Sequence, residues 1–218
     1  MNKAVTVLYD CCAGGEFFSW LLAQQVGCSP LQVVMAEANK WNLNPLDQTP
    51  EFSHIMYQSD DVIGYEDITY SDTKINVLRD HAEIIVSNNY NKPRHKKLFL
   101  KNYYNDWNTA AFIMLHPSTK ESTEYMDSLI RKKFGTEPAK GQRRVEATRK
   151  RRILAALGDV PILEIDPYTL FFSDTDGELA HLQTFLNDTY GKDAAALDSR
   201  TMKFFIEFWK DKNENPFF

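Results

Sequence analysis

Val5-Thr6-Val7-Leu8-Tyr9 is a short apolar run that passes into Asp10-Cys11-Cys12-Ala13-Gly14-Gly15-Glu16 and then into Phe17-Phe18-Ser19-Trp20-Leu21-Leu22. No other stretch restricts the fold as much. A strand, a small-residue turn and an apolar helix in direct succession make a β–α unit, and such units build parallel sheets. A glycine turn at a helix N-terminus also aims backbone N–H groups forward, a setting suited to phosphate or sulfate. The turn at residues 11–16 is therefore the first candidate anion site.

The rest of the chain continues the alternation. Phe17, Phe18, Leu21, Leu22 and Val26 recur at helical spacing, with Gly27 as the stop. Ser29, Pro30 and Gln32 read as the N-cap, first position and capping-box partner of a second helix carrying Leu31, Val34, Met35 and Ala38. From about 42 to 72 periodicity fades around Pro45, Pro50, Asp60, Asp61, Glu66 and Asp67. That is an irregular insertion, either a lid or a surface connection. Ile75, Leu78 and Ala82 fit a helical stripe while residues 83–87 read as a buried strand, so the pattern predicts a helix to about Ala82 and then a strand.

The run Ala110-Ala111-Phe112-Ile113-Met114-Leu115 is continuously apolar, as parallel central strands are, and His116-Pro117 ends it. Ser118 and Glu121 read as the capping box of a helix with Tyr125, Met126, Leu129, Ile130 and Phe134, stopped at Gly135. A basic helix follows, then a strand at 160–165 and a helix with Leu179, Leu182, Phe185 and Leu186. A tail helix from about Ser199 carries Met202, Phe205, Phe208 and Trp209, read as core packing together with Phe204. The fold class is α/β: a mainly parallel central sheet with helices on both faces, in a single domain over 1–218. In such sheets ligands sit beyond the carboxyl ends of the strands. The turn after Tyr9, the segment at 87–89, His116 and Asp166 fall in that neighbourhood.

Composition excludes several alternatives. A 43% hydrophobic, 13% aromatic chain of 218 residues fits a packed globule rather than disorder. A net charge of -5 offers no global case for nucleic acid. Three cysteines, two of them adjacent, make a poor disulfide framework and point to a reducing compartment. Asp10 and Glu16 interrupt the first apolar run before it reaches signal-peptide length, and no later stretch spans a bilayer, so a soluble cytoplasmic protein is expected.

Three segments resemble the sulfotransferase family, a branch of the P-loop nucleotide-binding superfamily with a three-layer sandwich fold. Ala13-Gly14-Gly15-Glu16-Phe17-Phe18 stands where the family has its donor-binding turn, Ser-Gly-Thr-Thr-Trp-Leu. Phe112-Ile113-Met114-Leu115-His116-Pro117 is similar to the family's strand ending in Arg-x-Pro. Ile162 to Leu170, followed by Glu178 to Leu186, is similar to the strand, Tyr-Glu-x-Leu and Phe-Leu helix near the family's end. The resemblance implies transfer of a sulfuryl group from 3′-phosphoadenylyl sulfate (PAPS) to a hydroxyl or amine of a small-molecule or glycan acceptor. It implies a donor site at Cys12, Ala13, Gly14, Gly15, Glu16 and Phe17, with Thr123 loosely replacing a serine that holds the 3′-phosphate. The family's lysine is replaced by Cys12, its threonines by Gly15 and Glu16, and its arginine by Leu115.

The family's base is a histidine just past a central strand. His81 takes that place if residues 75–79 are the strand; if 83–87 are, the position falls near Asn89. His116, at the tip of the strand ending at Leu115, is the other candidate, and each histidine has the alternative of a structural hydrogen bond. Cys11 and Cys12 before a helix N-terminus would suit a thiolate nucleophile, but no arginine closes the turn, and two small buried residues is the plainer reading. The Gly-Lys-Ser/Thr of an ATP-type loop is absent, and no metal is expected from Cys11, Cys12 and Cys28. A rival reading makes the chain a non-catalytic binding or assembly protein working through its basic 131–152 region, with Arg143, Arg144, Arg149 and Arg152. A solvated helix face is the alternative there. Phe217-Phe218 suggests an oligomer contact.

Overall fold

The computed structural model describes residues 3–10, 13–30, 32–33, 68–69, 71, 73–81, 109–135, 159–192 and 194–212. Seven strands are present among them: β1 (Lys3–Tyr9), β2 (Cys28–Pro30), β3 (Gln32–Val33), β4 (Ile68–Thr69), β5 (Ile75–His81), β6 (Thr109–Leu115) and β7 (Ile162–Ile165). The helices are α1 (Gly15–Ala23), α2 (Lys120–Phe134), α3 (Thr175–Tyr190) and α4 (Ser199–Lys212), with a π-helical segment at Thr169–Ser173 before α3.

Five strands form one sheet in the order β2-β5-β1-β6-β7, every pairing parallel. β3 and β4 make a separate antiparallel pair. In order of appearance the sheet strands run 2-3-1-4-5, consistent with a P-loop-like or Rossmann-like sandwich. β1 is central because both of its faces can be covered: Val5, Val7 and Tyr9 point one way, Ala4, Thr6 and Leu8 the other, and all six are buried. Val5, Val7 and Tyr9 join Ile113, Leu115 and Val77 in one core cluster with Phe17, Phe18 and Leu21 of α1, Leu129 of α2 and Leu182 of α3. The opposite face, with Leu8, Leu78, Phe112 and Met114, is buried as well, so the sheet is a middle layer.

The predicted strands at 5–9, 110–115 and 160–165 and the helices after them are present. Three local readings are corrected. The helix predicted to begin at Ser29 is β2 at its start: Ser29 donates to Asn76 Oδ1 at 3.4 Å rather than capping, and Pro30, lacking an N–H, sits on an edge strand. The helix predicted up to Ala82 is β5. Asn76 is wholly buried there, its amide bonded to the backbone of Ser71 at 2.9 and 3.0 Å. Finally, α1 ends at Ala23 with Gln24 as its C-cap, so Val26 is exposed and Gly27 is not the stop. Gln25 is buried instead, donating to Leu21 O at 3.0 Å and accepting from Asp198 N–H at 2.8 Å.

The α2 cap also moves one residue on. Thr119, not Ser118, accepts from Ser122 N–H at 3.1 Å, while Gly135 closes the helix in the left-handed conformation. The readings at 34–67, 83–100 and 136–158, with Cys11, Cys12, Phe217 and Phe218, lie outside the described residues.

Candidate functional site

The parallel register brings Tyr9, His81, Leu115 and Ile165 level at the carboxyl edge of the sheet. β1 leads away to β2 on one side and β6 to β7 on the other, so the chain changes direction between β1 and β6. That is the place where an open α/β sheet leaves a crevice. Asp10 and His116 are the first residues beyond these two strands. Pairing continues past the strand ends, with Asp10 N–H to Leu115 O at 3.4 Å and His116 N–H to Ile165 O at 3.0 Å.

His116 Nδ1 lies 2.7 Å from Asp10 Oδ2, and the two side chains are 13% and 10% exposed. An ionised carboxylate only accepts, so the hydrogen belongs on Nδ1 and, in the neutral ring, Nε2 carries the lone pair. This is the orientation a general base requires, with the acid fixing tautomer and ring plane.

Asp166, 6% exposed and one residue beyond β7, holds the loop that carries His116. Its Oδ2 accepts from Ser118 N–H at 2.6 Å, the Ser118 hydroxyl at 3.0 Å and Thr119 N–H at 3.1 Å. Its Oδ1 accepts from Thr169 N–H at 3.0 Å. Burial alone would raise this carboxyl, but the bonds from Ser118, Thr169 and Thr119 outweigh burial and hold it below its usual value. A protein carboxylate thus occupies the N-terminus of α2. Behind it, burial raises Glu178; His181 opposes that shift, while Asp166 and Asp174 add to it.

The predicted donor turn has a different basis from the one its glycines suggest. Ala13 N–H returns to Asp10 O at 3.0 Å, and Gly14 takes φ 68°, ψ 17° as the N-cap of α1. A Cβ on Gly14 would stand 2.9 Å from Phe171 Cε2, and one on Gly15 would overlap the Tyr9 side chain. Two aromatic rings therefore require these glycines. Phe17 is in the core, with its ring 6.1 Å from Phe171 and 6.2 Å from Trp20. Glu16 places a carboxylate in the first turn of α1, where the helix dipole favours it.

The other nominated residues are spread around this edge. Thr123 donates to Thr119 O at 2.8 Å within α2. Leu115, at the arginine position of the family pattern, is wholly buried, so it is His116 that reaches the edge. His81 ends β5, level with Tyr9. Arg131, the first residue of the basic region, donates through Nε to Asp127 O at 3.3 Å. No group of three His, Cys, Asp or Glu suited to a metal occurs among the described residues, and none of their helices is long and apolar enough to cross a membrane. Sequence reasoning missed Asp10 as the partner of His116; each stands directly after an apolar strand, but that the two strands are neighbours in register is shown only by the sheet. No family model, curated protein or solved structure matches the chain.

Proposed function

We propose that the crevice between β1 and β6 is the active site of a group-transfer enzyme in which His116 is the general base and Asp10 its positioning partner. In the form suggested by the resemblance, the reaction is sulfuryl transfer to an acceptor hydroxyl or amine. PAPS, when bound, supplies the sulfuryl group and departs as adenosine 3′,5′-bisphosphate. His116 Nε2 takes the acceptor proton as the acceptor atom attacks, and Asp10 stabilises the imidazolium that forms. The observation that carries this reading is the 2.7 Å contact between Asp10 and His116 at the sheet's change of direction.

Backbone rather than charge would have to meet the donor: Gly14 and Gly15 open α1, Ala13 N–H is already bonded to Asp10 O, and Glu16 and the buried Leu115 offer a polyanion no cation. The cation facing the reaction is then the one His116 becomes on taking the proton.

Calorimetric titration with adenosine 3′,5′-bisphosphate tests the donor. Saturable heat with a rise in melting temperature is expected. No heat and no shift at millimolar ligand would remove PAPS while leaving His116 to be tested by itself.

A further inference from the structure

His116 is held at two levels, and Asp10 accounts for only one of them. The Asp10 carboxylate meets the ring, with Oδ2 2.7 Å from Nδ1. The backbone that aims the ring is fixed elsewhere. His116 N–H donates to Ile165 O at 3.0 Å, and Pro117 disfavours helical backbone at His116. The next two residues close on a single oxygen. Asp166 Oδ2 accepts from Ser118 N–H at 2.6 Å, from the Ser118 hydroxyl at 3.0 Å and from Thr119 N–H at 3.1 Å. Ser118 and Thr119 are exposed while Asp166 beneath them is buried, so polar bonds to this carboxylate, rather than burial of their own side chains, hold these two residues down. The carboxylate is anchored in turn, its Oδ1 accepting from Thr169 N–H at 3.0 Å and from the Thr169 hydroxyl at 3.3 Å. The consecutive residues Ile165 and Asp166 thus grip the chain on either side of Pro117.

We infer that Asp166 is a positioning residue for His116, setting through Ser118 and Thr119 the direction from which the imidazole reaches Asp10. Its part in catalysis rests on the reading of His116 as general base, whereas the positioning does not depend on that reading. With the backbone gripped on both sides, the histidine keeps only its own side-chain rotations, and the contact to Asp10 selects one of them. A hydrogen bond of 2.7 Å weakens steeply once the ring is displaced or tilted. Without the Asp166 carboxylate, Ser118 and Thr119 N–H turn to water and the Cα–Cβ direction of His116 is no longer defined. Asp166 also lies at the N-terminus of α2, so a loss of stability alone would not separate positioning from capping. The test therefore reads the His116 ring itself.

Histidine-selective 15N NMR of the full chain is compared for wild type, D166A and M202A, the last a cavity at a buried position of α4 that lowers stability without removing any bond to the loop. D166A is expected to lose the Nδ1-protonated preference of His116 and approach an equal mixture of tautomers, with Asp10 still present. M202A should keep the wild-type pattern despite its lower melting temperature. S118A, which removes one donor from Oδ2 and leaves the bonds to Thr169, should show the same loss to a smaller extent, and decides the matter if D166A does not fold. A wild-type tautomer pattern in D166A, or in S118A where D166A is unfolded, would overturn the inference, as would an equal loss in M202A. Absence of adenosine 3′,5′-bisphosphate binding, by contrast, would bear on the donor and leave this result standing.

Discussion

Asp10 and His116 stand 106 positions apart in the chain and 2.7 Å apart in space, because each is the first residue after one of two adjacent parallel strands. Nothing local binds them; the sheet register does. Replacing Asp10 by Asn keeps the volume but lets the partner of Nδ1 be a donor as readily as an acceptor. D10N is expected to lower unfolding stability by about 1–3 kcal/mol, the range for a disrupted, largely buried hydrogen bond. Urea denaturation at pH 7 checks it.

Asp166 yields a pH dependence of definite sign. Its carboxyl is held below the ordinary value in the fold, so its contribution is complete above the unfolded value, about 3.9, and is lost as pH falls through the lower folded value. D166N removes that contribution. The gap in stability between wild type and D166N should be full at pH 6 and should narrow as pH falls below 4, read from denaturation midpoints. A gap constant from pH 6 to pH 2 would refute the assignment.

The two glycines of the first turn should respond unequally. At Gly15 a methyl meets the body of the Tyr9 ring, whereas at Gly14 it meets the edge of Phe171 but the backbone is left-handed. G15A is expected to cost about 1–3 kcal/mol or more as overpacking, and pairing it with Y9A should not relieve the loss, because the Tyr9 Cβ is part of the same overlap and remains in alanine. G14A should cost about 1 kcal/mol or somewhat more. Thermal melts of the three variants decide the order.

Cys28 is fully buried, and burial raises its thiol to about 12 against a small opposing effect of Lys74. In the native state at pH 8 it should resist alkylation for as long as the fold persists, and react at once in urea. Because the unfolded thiol ionises first, this residue also favours unfolding progressively as pH rises from about 9 towards 12. Mass-spectrometric mapping of iodoacetamide adducts separates Cys28 from the other two cysteines.

The sequence pattern was legible where one periodicity dominated. The run at 110–115 is apolar throughout, and that at 5–9 apolar but for the buried Thr6, because both faces of a central parallel strand are covered. It failed where polar residues serve tertiary contacts. Asn76 breaks the apolar run of β5 while bonding Ser71, which left Ile75 and Leu78 at a spacing that imitates a helix. Ser29 and Ser118 have the chemistry of caps but are committed to Asn76 and Asp166. At the site, Gly14 and Gly15 signalled a turn correctly, but sequence cannot tell a glycine needed by Phe171 or Tyr9 from one needed by a phosphate. The Asp10–His116 pair depends on register, which no local pattern contains.

His116, oriented by Asp10, is proposed to face the ligand. Histidine-selective 15N NMR of the full chain, with the His116 signal assigned by H116N, reports it directly. In the free protein His116 should show the Nδ1-protonated tautomer, D10N should abolish that preference, and an added ligand such as adenosine 3′,5′-bisphosphate should move the His116 resonances before those of the other histidines. A His116 ring that populates both tautomers equally in the wild type, or that stays unmoved while a bound ligand shifts another histidine, would rule out that role for His116.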